Sequence, residues 1–146
     1  MIRAVAAASL AVAAAGHDFS VGEARQAFRE HTGMPLVKFV AASTPDVTSL
    51  RTRPHDSARF GEFQLFVLRP SKVVRLRLVF THGTAADSRG IHWVPDQAGG
   101  WIAVTLHSRN LVLAWFPPAP SRRVDERWRR LERAVAGFAP EVRGHS

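Results

Sequence analysis

The chain has 146 residues, which suits one domain closing a single hydrophobic core. It carries a formal charge of +8 and no cysteine, which excludes disulfides, thiolate metal sites, cysteine nucleophiles and lipid attachment at an N-terminal cysteine. An apolar fraction of 46% without a long low-complexity run argues against a disordered chain.

The first eighteen residues, MIRAVAAASLAVAAAGHD, place Arg3 before an apolar stretch from Ala4 to Ala15, with Ala13-x-Ala15 as a cleavage motif. Residues 1–15 therefore read as a signal peptide, since the stretch is shorter than the roughly 20 residues that span a bilayer. An alanine-rich helix packed on the domain is the alternative. No other segment of the sequence reads as a transmembrane helix.

One α+β domain is expected over 18–139, followed by a flexible tail over 140–146. Its first element is a helix. Ser20 and Glu23 form a capping-box pattern, Val21, Ala24, Phe28 and His31 recur at helical spacing, and Gly33 with Pro35 ends the run. PLVKFVAAS (35–43) reads as a strand, and the Pro-, Asp-, Ser- and Thr-rich stretch from Thr44 to Gly61 as a long loop. EFQLFVLR (62–69) reads as a central strand, with Phe63, Leu65 and Val67 on one face and Phe66 and Leu68 on the other.

SKVVRLRLVFTH fits two periods. Val74, Leu76, Leu78 and Phe80 alternate as in a strand, whereas Val73, Leu76, Val79 and Phe80 make a helical stripe. A helix capped by Ser71 is the reading taken, because a crossover suits the position after a central strand. IHWV (91–94) is a short strand, and PDQAGG leads into the hairpin GGWIAVTLHSRNLVLAWFPP (99–118). SRRVDERWRRLERAVAGF is a final helix capped by Ser121, with Val124, Trp128, Leu131, Val135 and Phe138 on its apolar stripe. The sum is an antiparallel sheet of about four to five strands with the N- and C-terminal helices packed on one face.

Catalytic patterns find little support. His82, His92 and His107 lie in or beside the sheet region, yet no His-x-x-x-His or His-Glu-x-x-His spacing marks a metal site. There is no Gly-x-Ser-x-Gly elbow, and His55, Asp56 and Ser57 are sequence neighbours whose side chains diverge. Neither a Walker pattern nor a dinucleotide fingerprint is present, so no cofactor is expected. Arg123, Arg127 and Arg130 flank the last helix's stripe as candidate anion contacts, with Arg69, Lys72, Arg75 and Arg77 as a second basic cluster. No helix-turn-helix or aromatic–basic RNA motif accompanies them, which disfavours nucleic acid.

The hairpin supplies the main functional lead. A two-residue turn at Ser108-Arg109 or Arg109-Asn110 puts Ile102, Val104 and Leu106 beside Leu111, Leu113 and Trp115 on one apolar face. The other face then holds Trp101, Ala103, Thr105 and His107 with Val112, Ala114 and Phe116. Trp101, Thr105, His107 and Phe116 make the candidate binding face there, for a ligand, a protein partner or a second copy. A three-residue turn would shift the pairing by one and undo this division.

The GGW, VLAWF and RRVDERWRRLERAV stretches resemble the C-terminal part of small uncharacterised secreted or lipid-anchored proteins of high-GC actinobacteria. That resemblance implies a secreted or envelope location and no particular activity, and this chain lacks the lipobox cysteine of the anchored members. The functional expectation is a secreted or envelope-associated, non-enzymatic binding domain, with a cytoplasmic location as the alternative. A small hydrolase with dispersed catalytic residues and a binder of anionic polymer through surface arginines are the competing functions.

Overall fold

The computed structural model describes residues 18–117 and the helix 124–135, in which side chains are described for Arg129 and from Leu131 to Val135. The expected signal peptide, the Ser121 cap and the C-terminal tail lie outside the described residues. In chain order the elements are α1 (Val21–Thr32), β1 (Leu36–Lys38), a 3-10 turn (Val40–Ala42), β2 (Val47–Thr52), α2 (Pro54–Phe60) and β3 (Glu62–Leu68). There follow a second 3-10 turn (Pro70–Lys72), α3 (Val73–Thr81), β4 (His92–Pro95), β5 (Trp101–His107), β6 (Leu111–Phe116) and α4 (Val124–Val135).

The sheet has six antiparallel strands in the order β1-β2-β3-β6-β5-β4, more than the four to five expected. Two three-strand meanders meet where β3 pairs with β6, so the strands richest in apolar residues lie at the centre. Both edge strands are short, β1 with three residues and β4 with four ending at Pro95. Short edges ending in proline discourage pairing with another chain.

The strand missed by sequence reading is β2. It lies in the expected loop because only Val47 and Leu50 are large apolar residues, while Ser49 and Thr52 are polar yet buried. Their hydroxyls are satisfied locally. Ser49 Oγ donates to the Ala42 carbonyl at 2.7 Å, and Thr52 Oγ1 accepts from the Phe63 N–H at 3.1 Å. Satisfied hydroxyls of this kind can be buried without the usual desolvation cost. The rest of that stretch is α2, with Pro54 at its start and a left-handed-φ glycine, Gly61 (φ 86°), at its end.

Each sheet face has its own core. On one face α1 and α4 cover Leu36, Leu50, Phe63, Leu65, Ala103, Leu111, Leu113 and Trp115 through Ala24, Phe28, Leu131, Ala134 and Val135. The capping box at Ser20–Glu23 and the left-handed Gly33 (φ 75°) that frame α1 are both formed as its sequence implies. Phe63 and Trp115 are direct cross-strand partners and stack at 5.8 Å, with Phe28 edge-on to Phe63 at 5.5 Å. The opposite face carries Val47, Phe66, Leu68, Val94, Val104, Val112 and Ala114, covered by Val73, Leu76 and Phe80 of α3.

The ambiguous segment is thus helical, but it begins through the Pro70–Lys72 turn and has Lys72 rather than Ser71 at its cap. Phe80 tilts against Phe66 at 4.4 Å and fixes the rotation of the helix over the sheet.

Candidate functional site

The β5–β6 hairpin closes with a three-residue turn, Ser108-Arg109-Asn110, and the register pairs Ala103 with Trp115, Thr105 with Leu113 and His107 with Leu111. That overturns the two-residue turn expected from sequence. Trp101, Ala103, Thr105 and His107 consequently share a face with Leu111, Leu113 and Trp115, while Phe116 falls on the other with Ile102, Val104 and Leu106.

The four residues grouped as a candidate binding face are therefore divided. Thr105 and His107 are buried beneath the α1–α4 side, where His107 Nε2 and Thr105 Oγ1 are hydrogen-bonded at 2.7 Å. Phe116 is half-buried in the α3 layer. Trp101, 57% exposed, sits opposite Pro95 near the start of β5. Among the described residues both sheet faces are packed against helices, so the hairpin's apolar residues are shared between two covered faces.

Long-range hydrogen bonds explain the turn. Ser108 adopts a positive φ of 51°, and its carbonyl accepts from Arg77 Nη2 at 2.6 Å. Asn110 Oδ1 accepts the Phe19 N–H at 2.8 Å, while Asn110 Nδ2 donates to the carbonyls of Phe19 and Leu68 at 3.0 and 3.2 Å. These partners are 31 to 91 residues away in sequence, so no local pattern could reveal them.

Among the described residues, His82, His92 and His107 sit in three different surroundings. His82 is exposed at the left-handed end of α3, His92 donates through Nδ1 to the Thr84 carbonyl at 2.7 Å, and His107 is 1% exposed. Ser57 Oγ lies 2.7 Å from Thr52 Oγ1, a structural contact at the start of α2. Among the described residues no three His, Asp or Glu side chains gather as metal ligands.

The Asp87 loop is likewise architectural. Asp87 accepts from the Arg89 and Ile91 N–H groups at 2.9 and 3.0 Å and from the Trp93 indole at 3.0 Å. Burial by itself would raise its pKa, but the hydrogen bonds from Ile91, Trp93 and Arg89, with the charge of Arg89, outweigh it. The carboxyl is held below the usual range.

The described residues also line a niche and a groove. A niche of about 30 Å³ bounded by Thr32, Met34, Phe60, Phe63 and Arg133 has room for little more than a water. A groove of about 370 Å³ runs along Gly22, Arg25, Gln26, Arg29, Pro35 and Leu36. Its basic residues Arg25 and Arg29 are exposed, and Gln26 there donates to Glu30 at 3.1 Å.

The outer face of α3 differs from all of these. Val74, Leu78 and Val79 are 81%, 61% and 59% exposed, three of the five large apolar residues so exposed among the described ones. At 100° per residue they lie on one arc with Arg75 and His82, opposite the arc of Val73, Leu76 and Phe80 that grips the sheet. Arg69, Lys72 and Arg75 are exposed around this arc, whereas Arg77 turns towards Ser108.

The two sequence periods in this segment arise here. Val74 and Leu78 alternate with Leu76 and Phe80 as in a strand because both sides of the helix are apolar. Of the other basic candidates, Arg123 and the side chains of Arg127 and Arg130 lie outside the described residues. No protein-family model, no curated protein and no solved structure matches this chain.

Proposed function

We propose that this chain is a non-enzymatic interaction domain of a secreted or envelope-associated protein, and that it works through the outer face of α3. The observation that carries the reading is the concentration of Val74, Leu78 and Val79 on the solvent side of one nine-residue helix. A helix that already spends one apolar stripe on the core gains nothing for folding from a second stripe facing water. Contiguous apolar groups of this kind mark interaction surfaces. The location rests on the Arg3 and Ala4–Ala15 pattern of the N-terminus.

The test is site-specific photocrosslinking in the cells that make the protein. A photoreactive side chain at Leu78 should give an adduct of defined mass that the same probe at Arg109 does not give. The Val74→Ser change should suppress that adduct. Equal labelling at the two positions would make α3 an ordinary solvated surface and sink the reading.

A further inference from the structure

We infer that the partner of the α3 outer face is the surface of an anionic lipid bilayer, an inference that rests on the reading of α3 as the docking surface. The charge around the face is one-sided. From Phe63 to Ala86 the chain has Arg69, Lys72, Arg75 and Arg77 and no carboxylate. Among the described residues Asp46 reaches this stretch, 3.4 Å from Arg69 in an exposed ion pair. Exposed pairs of that sort are weak, so Arg69 can exchange Asp46 for a phosphate at little cost.

The apolar groups suit a membrane better than a protein. They are three aliphatic side chains without the exposed Trp or Tyr in which the hot spots of protein interfaces are enriched. The helix is also small. Nine residues make a rod about 14 Å long, far short of the roughly 800 Å² per partner that stable protein interfaces bury.

A bilayer asks for less. An amphipathic helix lying in the interface inserts its apolar arc shallowly while long cationic side chains reach the headgroups. Here the inner arc of Val73, Leu76 and Phe80 clamps α3 to the sheet, so Val74, Leu78 and Val79 are presented together without the cost of ordering a free peptide. Lys72 and Arg75 are exposed on the same helix end to meet lipid phosphates.

The experiment is co-sedimentation of the full chain with phosphatidylcholine vesicles, with and without phosphatidylglycerol. Analytical ultracentrifugation in the absence of vesicles accompanies it. Binding should require phosphatidylglycerol and weaken on the order of tenfold in Lys72→Gln/Arg75→Gln, since each cation near an anionic surface contributes severalfold. Val74→Ser/Leu78→Ser should weaken it by about tenfold as well, because the shallow insertion is lost. All four positions are exposed, so unchanged thermal melting is the control for folding.

No binding to anionic vesicles, or equal binding by the wild type and Val74→Ser/Leu78→Ser, overturns the lipid assignment. A dimer seen without vesicles and lost in Val74→Ser/Leu78→Ser also overturns it, yet leaves α3 as a docking face. Equal photolabelling at Leu78 and Arg109 removes the docking face itself.

Discussion

Asn110 holds the backbone of Phe19 at both its N–H and its carbonyl, 2.8 and 3.0 Å away, across 91 residues of sequence. A primary amide is the one side-chain group of this size that offers an acceptor and a donor side by side, so it matches a peptide unit as a neighbouring strand would. The same Nδ2 also donates to Leu68 at the end of β3. One side chain thereby ties the entry of α1 to the centre of the sheet.

Asn110→Ala should cost about 2 kcal/mol in urea unfolding, since it leaves partly buried backbone groups without their partner. Amide exchange at Phe19 and the first turn of α1 should accelerate more than exchange in β3. Asn110→Asp should fail to restore the wild-type value, because a carboxylate cannot donate to the Phe19 and Leu68 carbonyls. Wild-type stability in Asn110→Asp would show that the donor half of the clamp is dispensable.

Arg77 anchors the other side of the same turn. Its bond to the Ser108 carbonyl is charge-assisted, and Arg77→Met should lower stability by about 2 kcal/mol while keeping much of the apolar stem. The readout is exchange at Ser108, Arg109 and Asn110, which should open before the rest of β5 and β6. A uniform loss of protection along both strands would mean that the turn does not depend on Arg77.

Sequence could find the elements whose signals are local or whose two faces are both apolar. The first helix was legible because its signals are local: Ser20, Glu23 and Gly33 act within a few residues of where they stand. β3 was legible because both of its faces are apolar. β2 was hidden by Ser49 and Thr52, whose burial is made tolerable by hydrogen bonds to Ala42 and Phe63.

The hairpin register was out of reach for a different reason. Two- and three-residue turns differ by one position, and Arg77, Phe19 and Leu68 decide between them from a distance. That single residue moved Phe116 away from Trp101 and dissolved the face that had looked functional. The basic cluster at Arg69–Arg77 was visible in the sequence. Its apolar companions Val74 and Leu78 were visible too, but as ambiguity between helix and strand.

The separation of Trp101 from Phe116 has a measurable consequence. Trp101→Ser should change stability by no more than about 0.5 kcal/mol, because more than half of the side chain is already in water. Phe116→Ser should cost about 1–2 kcal/mol, through lost apolar burial in the α3 layer. Equal effects in thermal unfolding would contradict the three-residue turn, which places these rings on opposite faces of the sheet.

Asp87 gives the fold an acid-sensitive joint. Its carboxyl is stabilised in the folded loop by the Ile91, Trp93 and Arg89 donors, so its folded pKa lies below its unfolded one. A depressed folded pKa means that the unfolded chain binds the proton first. The contribution is therefore fully present above the unfolded value and disappears as pH falls through the folded value, below about pH 4. Asp87→Asn should melt at a lower temperature than the wild type at neutral pH, because the NH2 of its side-chain amide presents donors to donors. As the pH is lowered past 4 the two melting curves should converge. The Trp93 indole reports the same event, since its N–H bonds Asp87 Oδ2 and its fluorescence should shift with the loop. A gap between wild type and Asp87→Asn that stays constant down to the acid limit would show that the loop draws no stability from this ionised group.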